Sequence, residues 1–153
     1  MTKAHVDHYR ILFADASHAG VYHLPHGDIQ ALTSGAQAAG CLVQHVDLAQ
    51  ARTKSEMLAQ IGKTLGFPDW FGQNWDALLD CLLDMAWRPA EAYVTVLDRC
   101  DGVHGYAESD FVVLMQIFQT AAAEWREQNV PFWCLVDMQA DGIAWLPTVA
   151  QPQ

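Results

Sequence analysis

Positive charge is what this chain has least of. Its 153 residues carry 8 Lys and Arg against 18 Asp and Glu, a formal net charge of −10. No Lys or Arg occurs between Lys63 and Arg88. A chain so charged repels nucleic acid and anionic membranes and attracts basic proteins. No apolar run approaches the roughly 20 residues a membrane span needs. Residues 1–10 are polar and no apolar h-region follows them, so no signal peptide is expected and a cytoplasmic location is. Cysteine is sparse: Cys41, Cys81, Cys100 and Cys134 stand far apart and form no C-x-x-C pair. Free, mostly buried thiols in a reducing compartment are the expectation.

Signatures of common chemistries are also missing. There is no Asp-x-Asp-x-Asp-Gly calcium loop, no Gly-rich phosphate loop and no His-Glu-x-x-His. No Gly-x-Ser-x-Gly elbow or Cys/His nucleophile pattern occurs. His23 and His26 lie three apart at a strand end, where side chains face different ways, so they are not expected to share a metal. Carboxylates four apart, such as Asp76 and Asp80, are suited in principle to acid–base work or Mg²⁺. The expectation is no catalytic residue, no cofactor and no metal.

The apolar pattern alternates strands with helices. Residues 9–14 (Tyr-Arg-Ile-Leu-Phe-Ala) predict a strand and residues 20–24 a second, paired as a hairpin across a turn-like stretch. Asp28 is placed to cap a helix over 29–39, ended by Gly40. Residues 41–48 predict a strand. Thr53 followed by Glu56 is a capping-box pair opening a helix to Leu65, with Gly66 past its end. Residues 92–97 predict a buried strand, 98–108 a loop, 111–128 a long helix capped by Ser109, and 131–136 a last strand. The tail from 138 is expected to run over the surface, docked by Trp145. Such alternation argues for a parallel sheet with covering helices.

Residues 67–85 are the most informative stretch: Phe-Pro-Asp-Trp-Phe-Gly-Gln-Asn-Trp-Asp-Ala-Leu-Leu-Asp-Cys-Leu-Leu-Asp-Met. Pro68 and Gly72 mark a turn, and Asn74 is a natural N-cap. Leu78, Cys81, Leu82 and Met85 share one helical face. Asp76, Asp80 and Asp84 form a second stripe, in which each i, i+4 repulsion costs about 0.2–0.5 kcal/mol. Read from the residues alone, this stripe is either a solvated face with the aromatics packed inward or a docking face for an electropositive partner, with Trp70 and Phe71 as anchors.

Those same residues resemble the signature of the barstar family, intracellular inhibitors of secreted bacterial ribonucleases. The shared motif runs Pro, acid, two aromatics, Gly, polar, Asn, apolar, Asp-Ala-Leu, apolar, Asp-Cys-Leu. The likeness covers about residues 41–137 and leaves 1–40 outside the minimal family domain. It implies an α/β fold: a small, three-stranded parallel sheet with packed helices, extended here by an N-terminal strand or hairpin and a helix. One domain over 1–153 is expected, with an extension (1–40), a core (41–137) and a tail (138–153).

The resemblance also implies a partner-binding set. Asp80 takes the position of the dominant acid, Asp76 that of the second, and Trp70 that of a contacting loop aromatic beside Phe71. Gly72 and Asn74 match loop positions near the enzyme. Gln116, Ile117 and Phe118 align with a family Gln-Val-Phe, so Glu124 falls on a family Glu. Some positions depart. Thr120 stands where the best-known inhibitor has an interfacial Glu, Leu79 replaces a helix Trp, Met85 replaces an aromatic, and Asp84 adds an acid in place of Gly. The interface core is kept and its rim redrawn. The reading is an immunity-type inhibitor, not an enzyme, whose partner is a basic ribonuclease or ribonuclease-like toxin, with no nucleic acid or membrane partner. A barstar-fold interaction module with a non-nuclease partner is one alternative. An enzyme or ligand-binding protein using the acidic face is the other.

Overall fold

Every residue from 92 to 97 is buried, so the sheet containing them is covered on both faces. The computed structural model, which describes residues 2–68, 71–139 and 145–152, shows how. In chain order the elements are α1 (Lys3–Phe13), a 3-10 turn (Ala16–His18), β1 (Val21–His23), α2 (Ile29–Ala38), β2 (Cys41–Asp47), α3 (Lys54–Leu65), α4 (Trp75–Asp84), β3 (Ala92–Asp98), α5 (Asp101–Tyr106), α6 (Glu108–Glu127) and β4 (Phe132–Val136). The four strands form one all-parallel sheet in the order β1-β4-β3-β2. The expected three-stranded sheet is therefore β2, β3 and β4. The N-terminal residues add a fourth strand at the outer edge of β4.

Strand alternation sorts the core into two layers. Tyr93, Leu97, Phe132, Cys134 and Val136 point to one face, where they meet α3, α4 and α6 through Met57, Ile61, Leu78, Leu82, Leu114 and Phe118. Val94, Val96, Trp133 and Leu135 point to the other, where Tyr9, Phe13, Leu32 and Ala36 of α1 and α2 cover them. Trp133 is the pivot of that second layer. Its ring meets Phe13 edge-on at 5.0 Å, and its indole N–H donates to the Phe13 carbonyl at 3.2 Å.

Several expectations are corrected. Residues 9–14 are not a strand, and there is no hairpin. Val6, Tyr9 and Phe13 lie at helical spacing and pack inward, while Ile11, which made the run look strand-like, is 64% exposed. β1 instead pairs in parallel with β4, Val21 opposite Cys134. Asp28 does not cap α2 with its side chain. It sits in the left-handed region (φ 62°) and its carboxylate bonds His5 at 2.5 Å. Residues 98–108 are not a loop, for they contain α5. Ser109 is not the cap of the long helix either. That helix begins at Glu108 with Ala107 before it, so Ser109 lies in its first turn. Trp145 is half exposed. Leu146 and Val149 dock the tail instead, and Thr148 bridges His23 in parallel beyond β1.

Helices α1 and α2 cross at Gly35. A Cβ there would lie 2.5 Å from the Tyr9 Cβ and 2.8 Å from the Val6 carbonyl oxygen. Replacing Gly by Ala in a helix gains about 1 kcal/mol of propensity. Overpacking against backbone that cannot yield costs about 1–3 kcal/mol or more and outweighs it. Gly35→Ala is therefore expected to lower the urea midpoint, and an unchanged or raised midpoint would show that the crossing can relax.

All four cysteines are free and buried. Burial pushes the Cys41 thiol up to about 11, and burial with the Asp80 and Asp84 charges does the same for Cys81. The Cys100 and Cys134 thiols are raised as well, chiefly by the same desolvation. Since only the thiolate attacks disulfide reagents, the folded chain should give almost no reaction with DTNB at pH 8, and four thiols should react on unfolding. Rapid labelling of any thiol in the native chain would contradict the packing around it.

Candidate functional site

Gly66 ends α3 in the left-handed conformation (φ 69°) and turns the chain back. Side chains from beyond α4 hold that turn. The Arg88 guanidinium donates to the Thr64 carbonyl at 2.8 Å, and the Trp87 indole donates to the Leu65 carbonyl at 3.1 Å. Phe67 and Phe71 meet edge-on at 4.9 Å, and the Phe71 ring rests against Gly62, where a Cβ would approach to 3.1 Å. Phe71 is therefore half-buried and packs inward on α3. Trp70 lies outside the described residues.

The start of α4 is fixed by one bond: Asn74 Oδ1 accepts from the Ala77 N–H at 2.8 Å. Gly72 leaves room for that cap, since a Cβ there would come within 3.2 Å of the Asn74 amide nitrogen. The other end is tied to α6, because the Trp125 indole N–H donates to the Leu82 carbonyl at 2.8 Å. Between these ties Leu78, Cys81, Leu82 and Met85 are buried. The register of the helix is thus set by packing, and Asp76, Asp80 and Asp84 are turned to solvent. Among the described residues none of the three forms an ion pair.

Asp76 and Asp80 line a shallow depression of about 650 Å³ together with Gly72, Asn74, Trp75, Ala77 and Lys54. The structure brings together four of the residues singled out from the sequence: Gly72, Asn74, Asp76 and Asp80. Asp84, at the end of α4, and Glu124, on α6, are exposed but do not line it. Lys54 and Trp75 are additions that sequence reasoning missed. The Lys54 ammonium lies 5.1 Å from the centroid of the Trp75 ring, a cation–π contact that ties the first residue of α3 to the first of α4. Nothing local in the sequence announces a contact between residues 21 apart. Of the departures from the family pattern, Leu79 is half-buried against the core, and Met85 is buried while adopting a left-handed cap (φ 49°).

The chemistry on offer is a pair of carboxylates, one turn apart and without an ion pair among the described residues, on a helix tied at both ends. Among the described residues no group of three or more His, Cys, Asp or Glu is placed to hold a metal ion. No helix there is long and apolar enough to cross a membrane.

The cap can be tested directly. Asn74→Ala removes the acceptor for one orphan N–H at the helix start and should cost about 1 kcal/mol in urea or thermal unfolding, with Asn74→Asp close to neutral. A loss well below 0.5 kcal/mol would mean that packing alone sets where α4 begins.

Compared with known proteins, residues 41–137 match a family model described as barstar (barnase inhibitor). No curated protein matches the chain closely enough to count as a relative.

Proposed function

The chain belongs to the barstar family, and on that premise we propose that it is a cytoplasmic, non-catalytic inhibitor, of the immunity-protein kind, that occupies the basic active site of a ribonuclease or ribonuclease-like toxin. A ribonuclease site is built to hold phosphates, so Arg, Lys and His line it. Carboxylates presented where phosphates would sit can fill that site without being cleaved. The observation that carries the reading is that Asp76 and Asp80 are exposed, unpaired among the described residues, and held on one depression by a helix locked at both ends. Little backbone ordering remains to be done on binding, which is where preorganised interfaces gain affinity. The complex of barstar, the inhibitor that gives this family its name, with barnase is a known case in which close interfacial charge pairs are net favourable.

One feature supports a different partner on the same face. Thr120 stands where an interfacial Glu is expected, and its hydroxyl is turned onto the Gln116 carbonyl at 3.0 Å. A neutral rim there fits an interaction module whose partner is not a nuclease.

The test is capture from lysate and medium of the source cells on the immobilised chain, with ribonuclease assays on the eluate and a parallel titration of purified barnase. The wild-type chain should retain and inhibit ribonuclease. Removing one member of a buried interfacial charge pair costs roughly 2–5 kcal/mol, so Asp80→Ala should raise Kd by a factor of about 30 or more. Glu91→Ala should change it little. Asp80→Ala should not lower stability and is expected to raise it by about 0.4–1 kcal/mol, since the side chain is exposed and its removal relieves both i, i+4 repulsions. Association should also slow as salt is raised, because exposed charges are screened beyond about 10 Å at 0.1 M. Equal effects of the two substitutions, or an on-rate indifferent to salt, would sink the acidic-helix interface. Tight capture of a protein with no nuclease activity would favour the interaction-module reading.

A further inference from the structure

A second recess adjoins the acidic depression. It is about 710 Å³ and is framed by the start of α3, by Gln73 and by residues 106–110 where α5 gives way to α6. Lys54 lines both hollows, and Gln73 of one follows Gly72 of the other, so the two form a continuous surface. Tyr106 stands on its rim. It is 74% exposed, the most exposed of the large hydrophobic side chains among the described residues.

An aromatic so exposed is ordinarily free to turn. Here one ring face is already covered, because the Arg52 guanidinium lies 5.0 Å from the Tyr106 ring centroid. Arg52 is itself immobilised. Its Nη1 donates to the Ala49 carbonyl at 2.8 Å and to the Ala51 carbonyl at 2.9 Å. Gly102 makes the space, since a Cβ there would lie 2.6 Å from that nitrogen. Arg52 and Lys54 are both engaged inside the chain, one on Tyr106 and the other on Trp75. Across the recess Glu108 and Asp110, in the first turn of α6, form no ion pair among the described residues. Toward a visitor the recess therefore shows one open aromatic face and two unpaired carboxylates. The neighbouring depression offers the same combination.

We propose that this recess is the second half of the docking surface: the basic protein that seats on Asp76 and Asp80 reaches across Lys54 and Gln73, packs a side chain on the open face of Tyr106, and directs a cation toward Glu108 and Asp110. The partner's identity rests on the inhibitor reading above. The position of Tyr106 does not. A preordered Tyr loses little entropy on binding and supplies a large amphipathic contact, which is why Tyr is enriched among the residues that dominate interfaces. Because it carries no charge, it acts on residence time and leaves steering to the acids.

The experiment measures association and dissociation rates for barnase, the probe, on the wild-type chain, Tyr106→Ala, Tyr106→Phe and Asp80→Ala, each checked for a melting temperature no lower than that of the wild-type chain. Tyr106→Ala is expected to speed dissociation about tenfold or more, with the association rate and its salt dependence unchanged. Tyr106→Phe keeps the ring and should stay within about threefold of wild type. If Asp80→Ala weakens binding while Tyr106→Ala dissociates like wild type, the second contact is overturned and the acidic-helix reading stands. If the wild-type chain fails to bind, or binds with indifference to Asp80→Ala, the reading falls and this inference falls with it.

Discussion

The burial of β3 and β4 on both faces is the constraint from which the rest of the molecule follows. Ala92, Val94, Val96, Trp133 and Leu135 are apolar on the face turned away from α4, and they need a cover as surely as Tyr93, Leu97 and Phe132 do on the other. A parallel sheet with one face in water is not a stable arrangement. Residues 1–40 supply the cover as α1 and α2, and they also supply β1, which extends the sheet beyond β4. The tail completes that edge. Thr148 pairs beside β1, and the Ala150 carbonyl is bonded by the His8 ring at 2.7 Å. The N-terminal extension is thus integral to the sheet packing, on the face opposite the acidic helix.

That division separates scaffold from site. The α4 face of the sheet holds the docking candidates: the depression bearing Asp76 and Asp80, and the recess under Tyr106. Each is built the same way. A helix carries acids outward, and an aromatic beside them meets a cation from the first residue of α3 or from two residues before it. Lys54 does this for Trp75 and Arg52 for Tyr106. Both cations lie within two residues of the Thr53 cap, whose hydroxyl accepts from the Glu56 N–H at 3.2 Å. The start of α3 thus organises the surface around it, although no acid of the site is on α3.

Much of this was legible in the sequence, for identifiable reasons. The strand over 92–97, the caps at Thr53 and Asn74, and the outward acids of α4 follow from local periodicity and side-chain chemistry, and the structure keeps them, with the strand one residue longer. What failed depended on distant partners. The run Ile11-Leu12-Phe13 reads as a strand until Trp133, 120 residues away, is seen to need Phe13 at helical spacing from Tyr9. Asp28 reads as a cap until His5 takes its carboxylate. Residues 101–106, with two Gly, read as a loop because the propensity signal is weak, and tertiary contact makes them a helix. At the site, the acids were visible because they sit on one element. Lys54 and Arg52 were not, because their partners are Trp75 and Tyr106, far along the chain.

The energetics of α4 explain why its acidic stripe is not needed by the fold. Two i, i+4 repulsions among Asp76, Asp80 and Asp84 cost together about 0.4–1 kcal/mol. Only Asp76, in the first turn, is well placed to gain from the helix dipole. The cap at Asn74 contributes about 1 kcal/mol. The fully buried Leu78 and Leu82 contribute roughly 1.5–3 kcal/mol each. Packing therefore exceeds the repulsion several-fold and sets the register whatever the exposed positions carry. The fold tolerates three acids there and gains nothing evident from them. With no ion pair to hold them among the described residues, the charges remain available to cations from outside, while packing, the Asn74 cap and the Trp125 tie fix the backbone that carries Asp76 and Asp80.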